Sequence, residues 1–135
     1  MTVIRHAQTR KIETPNGTMT TLASPAQGQS TQAVWRVDAK PGTAGPVHAF
    51  DAESVWTWLS GSCTVQLGRE RFEVAAGDTV VLPADVLRRL TADERHGFAA
   101  IVAAPADVQV YNPAGLDACD LVPEGTERMP LPWAR

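Results

Sequence analysis

The chain of 135 residues has two cysteines, one tyrosine, two lysines and no long hydrophobic run, and each scarcity excludes something. Cys63 and Cys119 form neither a Cys-x-x-Cys pair nor any other metal-ligand spacing. Met1 to His6 lack the apolar core of a secretion signal, so both thiols are expected reduced, in a cytoplasmic protein. No apolar stretch nears the roughly 20 residues that span a bilayer. Positive charge is scattered and the net charge is −3, which excludes nucleic acid and anionic membrane as expected partners. Also missing are a Gly-rich phosphate loop, a Gly-x-Ser-x-Gly elbow and any long amphipathic helical pattern.

What is present is β-sequence. Short runs rich in Val, Thr, Trp and Leu recur between Gly and Pro punctuation at intervals of about ten residues, the pattern of a sandwich or barrel. Strands are expected over 18–23, 33–39, 47–50, 54–59, 63–67, 71–74, 79–82, 88–91, 98–103 and 108–110. Turns are expected at Pro41-Gly42, Ser60-Gly61 and Ala76-Gly77-Asp78, and a hairpin connection at Leu67-Gly68-Arg69-Glu70. No linker divides the chain. Residues 1–111 read as one barrel domain, with 1–15 a polar segment able to add an edge strand here or on a neighbouring subunit. Residues 112–135, with Pro113, Pro123, Pro130 and Pro132, read as a tail that Trp133 docks on the barrel.

Two spaced motifs stand inside residues 33–104. In the first, Gly42 is followed after five residues by His48; Phe50, Ser54 and Gly61 follow at fixed intervals. In the second, fifteen residues later, Gly77 precedes Pro83, Asp85 and Arg88. Together they resemble the paired motifs of the cupin superfamily, in which Gly-x5-His-x-His-x3,4-Glu-x6-Gly is followed by Gly-x5-Pro-x-Gly-x2-His. The resemblance implies an all-β, antiparallel double-stranded β-helix, or jelly-roll barrel, usually dimeric, with a ligand pocket at its mouth. It also implies a metal held by His, His, Glu and His.

Position by position, only His48 of that ligand set survives. Phe50 donates nothing, Ser54 offers a neutral hydroxyl, and Arg88 puts a fixed positive charge where a cation should sit. No metal and no cofactor is therefore expected. A rearranged site drawing on Asp51, Glu53 or His96 is a weaker alternative, because strand alternation turns Asp51 and Glu53 away from His48.

On the parity of His48, the residues Phe50, Ser54, Trp56 and Trp58 face the barrel interior. They are expected either to line a pocket that stacks a flat organic molecule or to plug a barrel without a metal. Arg88, facing inward, needs Asp85, an anionic ligand or solvent as its partner. Cys63 reads as packing, Trp35 as core or dimer interface, and His6 and Arg89 as surface. The expected function is a metal-independent cupin that binds a small metabolite and isomerises, cyclises or dehydrates it. His48 would be the acid/base and Arg88 the oxyanion partner. Alternatives are a non-catalytic binding or sensing protein, and a metal-dependent oxygenase with a rearranged ligand set.

Overall fold

The structure, a computed structural model, describes residues 1–111 and 128–135. Cys119, Pro113 and Pro123 lie outside the described residues.

Among the described residues eleven strands run in chain order: β1 Arg10–Thr14, β2 Gly17–Ala23, β3 Gln32–Ala39, β4 Ala49–Phe50, β5 Ser54–Leu67, β6 Glu70–Ala75, β7 Thr79–Leu82, β8 Arg88–Ala92, β9 Phe98–Pro105, β10 Gln109–Tyr111 and β11 Met129–Pro130. All pairings between these strands are antiparallel. The main sheet runs β1-β2-β3-β9-β5-β6, with β7 and β8 also paired to β5, and a second sheet runs β11-β10-β4. The N-terminal segment does supply an edge strand, and β1 pairs with β2 of its own chain.

β5 joins the two faces of the barrel. Its first half pairs with β7 and β9, and its second half pairs with β6 and β8. Ser60-Gly61, expected to turn the chain, is instead a bulge within one 14-residue strand: the register with β9 shifts between Trp58 and Ser60. A bulge adds one residue and bends the strand. Gly61 takes φ +70 there, and a Cβ would collide with the main chain of Gly97, so only glycine fits. The extra residue also switches which parity faces in. Ser54, Trp56 and Trp58 are buried before the bulge, and Cys63 and Val65 after it.

The core collects Trp35, Val37, Trp58, Val65, Leu82, Val102 and Val108 between the sheets. Residues 131–135 close one side. Thr21 Oγ1 donates to the Trp133 carbonyl at 2.6 Å, Ser24 Oγ donates to the Arg135 oxygen at 2.6 Å, and Leu131 and Ala134 are buried.

The bulge gives a direct test. Trp58→Ala, at a position 1% exposed, should lose about 3–5 kcal/mol in urea denaturation. Its neighbour Leu59→Ala, 48% exposed, should change stability by less than about 0.5 kcal/mol. Equal losses would contradict the inward parity described above.

Candidate functional site: an apolar cavity over a buried arginine

The two motifs meet through main chain. His48 N–H donates to the Arg88 carbonyl at 3.1 Å and Arg88 N–H donates to the His48 carbonyl at 2.9 Å. Asp85 turns the chain into β8. It stands where the motif has glycine and keeps the left-handed backbone, φ 62, that the position requires. Its N–H donates to the Phe50 carbonyl at 2.8 Å, and its carboxylate accepts the Tyr111 hydroxyl at 2.5 Å. Burial and the Asp85 carboxylate push Tyr111 up to about 12, so the phenol stays protonated and donates.

Behind this bridge lies a cavity of about 420 Å³. It is lined by Met19, Trp35 and Val37 and by His48, Phe50, Trp56, Arg88, Leu90 and Phe98. Asn16, Thr43, Val110, Met129, Leu131 and Trp133 also contribute to the lining. Four of the six side chains expected at the site therefore line it: His48, Phe50, Trp56 and Arg88. Ser54 and Trp58 do not reach it. Ser54 is fully buried and its Oγ accepts the Trp56 indole N–H at 3.0 Å, which fixes that indole in the wall. Trp58 stacks behind Trp56, with ring centroids 5.9 Å apart, and tilts against Phe98.

Arg88 is the anomaly of the site. It is 1% exposed, and its Nε, Nη1 and Nη2 atoms are buried without a hydrogen-bond partner. Asp85, the acid three residues before it, accepts from Tyr111. Instead the guanidinium lies on an aromatic face, with Cζ 3.6 Å from the Phe50 ring centroid and 6.0 Å from that of Trp56. Burial pushes Arg88 down to about 9, so it remains a cation at neutral pH.

His48 Nδ1 lies 2.8 Å from the Pro46 carbonyl oxygen. A carbonyl only accepts, so Nδ1 carries the hydrogen and Nε2 keeps its lone pair. Burial, then the Arg88 charge, push His48 down to about 4, so the imidazole is neutral at pH 7.

These residues do not fit a metal. One imidazole, a phenyl ring, a hydroxyl already bonded to an indole and a guanidinium stand at the four motif positions. The rearranged set does not assemble either. Asp51 accepts from Gln109 N–H at 2.7 Å, Glu53 is exposed, and His96 is an exposed partner of Asp93 at 3.4 Å. Among the described residues no three His, Cys, Asp or Glu side chains converge. Cys63 sits mid-strand with burial pushing its thiol up to about 12, which leaves it inert at neutral pH. No helix among the described residues is long and apolar enough to cross a membrane.

The sequence reading of the site missed part of its lining. Trp35 belongs to the cavity as well as the core, and the Asn16-Gly17 turn, Met129 and Leu131 come from outside both motifs. The apolar residues between the C-terminal prolines were the available signal, because such a tail with nothing to cover would be polar.

No protein-family model matches this chain, and no curated protein matches it by sequence. Solved structures do match it by shape. A tryptophan-to-tyrosine variant of oxalate decarboxylase from Bacillus subtilis is similar at TM-score 0.66 and 17% identity, covering 73% of this chain and 28% of that one. Vicilin from Corylus avellana (hazelnut) is similar at TM-score 0.70 and 19% identity, covering 83% of this chain and 36% of that one. The chain thus spans roughly a third of the length of these neighbours or less. At such identity the likeness carries the fold alone: the molecule is an antiparallel jelly roll of the cupin type. The bacterial decarboxylase has Mn(II) centres, whereas here the metal positions of the motifs hold a single nitrogen donor suited to a metal, His48.

Two measurements check the electrostatics. The unfolded chain takes up a proton on His48 as pH falls through its ordinary 6.5, and the folded chain does so only near 4. Stability that His48 contributes at pH 7, up to about 3 kcal/mol, is therefore lost between those values. In urea denaturation the stability gap between wild type and His48→Gln should close by that order from pH 7 to pH 4; a constant gap contradicts the assignment. Arg88→Met should raise the stability of the ligand-free protein by about 1–4 kcal/mol, because an unpaired buried charge gives way to an apolar side chain. A loss of stability would mean that Arg88 has a structural partner.

Proposed function

We propose that this chain is a metal-independent cupin that takes a small organic anion into its barrel and moves a proton on it. Arg88 is the partner of the anion and His48 the proton acceptor. One observation carries the reading: a guanidinium with every nitrogen buried and unpartnered, kept beside a cavity of about 420 Å³. A carboxylate, enolate or phenolate oxygen is the counter-charge that such a group lacks, and the planar guanidinium fork matches a carboxylate in two-point contact. The aromatic wall supplies faces for a flat organic body.

The chemistry follows from the His48 tautomer. With Nδ1–H held on Pro46, Nε2 accepts a proton from the carbon beside the ligand carbonyl. The electrons of that C–H bond move onto the carbonyl oxygen, and Arg88 stabilises the enolate formed. The imidazolium then returns the proton to another atom of the same molecule. Return to carbon completes an isomerisation, and return to a hydroxyl whose C–O bond breaks as the enolate collapses completes a dehydration. In a ring closure the enolate carbon bonds to a conjugated carbonyl acceptor in the same molecule, whose π electrons shift to its oxygen before the proton returns to the acceptor. The balance closes without an oxidant or a cofactor. An anion on Arg88 also offsets the positive charge that contributes to the low proton affinity of His48, so the base strengthens when the ligand arrives.

A second reading, a non-catalytic binding or sensing protein using the same cavity, is supported by the depth of that shift. An imidazole held near 4 is a weak base at neutral pH.

A panel of aryl and alkyl carboxylates and 2-oxo acids, screened by thermal shift, tests the shared part of both readings. A ligand at a hundred times its Kd should stabilise wild type by about 2.7 kcal/mol, on the order of 10 °C, and Arg88→Met not at all. Incubating the best ligand in D2O then separates the readings. Deuterium entering the carbon beside its carbonyl with wild type, but not with His48→Gln, is the expected result. Binding without exchange favours the sensing protein, and no response to any anion removes both readings.

A further inference from the structure

We infer that Phe50 is the selectivity element of this cavity: its ring covers the Arg88 guanidinium in the empty barrel, so that anions with a flat apolar body are admitted and small anions are excluded. The inference rests on the assignment of Arg88 as the anion partner.

The geometry requires something to move. All three guanidinium nitrogens are fully buried, and the Phe50 ring centroid lies 3.6 Å from Cζ. An anion therefore reaches the nitrogens only after a neighbouring side chain turns aside, and the Phe50 ring is the one seated on the guanidinium. The backbone of Phe50 cannot move with it. Its carbonyl accepts from Asp85 N–H at 2.8 Å, and β4 is paired to β10 through Phe50 and Val110. The movement is thus confined to the side-chain torsions, and the cavity beside the ring offers the volume. In the empty state the ring tilts against Trp35 at 6.4 Å and against His48 at 5.7 Å, contacts without a hydrogen bond to break.

The balance of interactions then sets the selectivity. A bare anion that displaces Phe50 gains the guanidinium but ends the ring's contact with the cation, which when desolvated is worth about thirtyfold in affinity. It also gives up its own hydration, while Met19, Val37 and Leu90 return nothing to it. A conjugated ligand gives the displaced ring and the Trp56 indole a new face to stack on, and buries apolar surface along the same wall. Arg88 accounts for the preference for negative charge. Phe50 accounts for the preference for an aromatic or conjugated acid over acetate, formate or chloride.

Acetate and cinnamate serve as probes, titrated at pH 7 into wild type, Phe50→Leu and Arg88→Met and followed by amide chemical shifts. Wild type should bind cinnamate on the order of a hundredfold tighter than acetate. Phe50→Leu keeps the site apolar but removes the cation–π cover. It should bind acetate about tenfold tighter than wild type does, narrowing the ratio, and Arg88→Met should bind neither. Phe50→Met replaces the leucine variant if the latter does not fold. A ratio unchanged by either substitution, or acetate binding wild type as tightly as cinnamate, overturns the selectivity role while leaving Arg88 as the anion partner. Failure of both probes on wild type and on the Phe50 variant overturns the two assignments together.

Discussion

Two main-chain hydrogen bonds between His48 and Arg88, 3.1 and 2.9 Å long, hold the candidate site of this molecule together. They tie the start of β4 to the start of β8 across forty residues of sequence, and the side chains follow from that bridge. The imidazole and guanidinium must be neighbours, so each feels the other's charge. Phe50, two residues past His48 on the same face, must lie against the guanidinium. Asp85 serves the same bridge by holding a left-handed turn and anchoring it through Tyr111. The motif resemblance implies imidazoles and a carboxylate at these positions. Here the spacing is kept and the donors are replaced.

The replacement carries a penalty in stability. A guanidinium buried under a phenyl ring without a counter-charge disfavours the folded state, and an apolar side chain of similar volume would relieve it. The surrounding wall is held by contacts of its own. Ser54 holds the Trp56 indole, Trp58 backs it, and the turn Pro132–Ala134 closes the far side through Thr21 and Ser24.

Much of the architecture was legible in the sequence because alternation and turn residues are local signals. The expected strands between 18 and 110 all have counterparts, and the inward set Phe50, Ser54, Trp56 and Trp58 followed from parity alone. Parity could not reveal that Ser60-Gly61 is a bulge, since that depends on Gly97 approaching from β9's neighbouring turn. Nor could it separate side chains that touch the cavity from those one layer behind, which is why Ser54 and Trp58 moved from lining to support. The three partners open to Arg88 were stated from charge alone. The structure removed Asp85 by giving it to Tyr111 and removed solvent by burial, two tertiary facts with no local trace. The contribution of Met129 and Leu131 was hidden for the same reason: neither belongs to the two motifs, and the lining they share with Met19 and Trp35 forms only on folding.

The most direct measurement is a crystal structure of the protein with its tightest-binding carboxylate. The expected result is a carboxylate within about 2.7–2.9 Å of the Arg88 nitrogens, with the Phe50 ring turned away from them. A guanidinium still covered by Phe50 with the ligand elsewhere, or a metal ion bound at His48, would contradict the assignment of this barrel as an anion site built on the positions of a metal site.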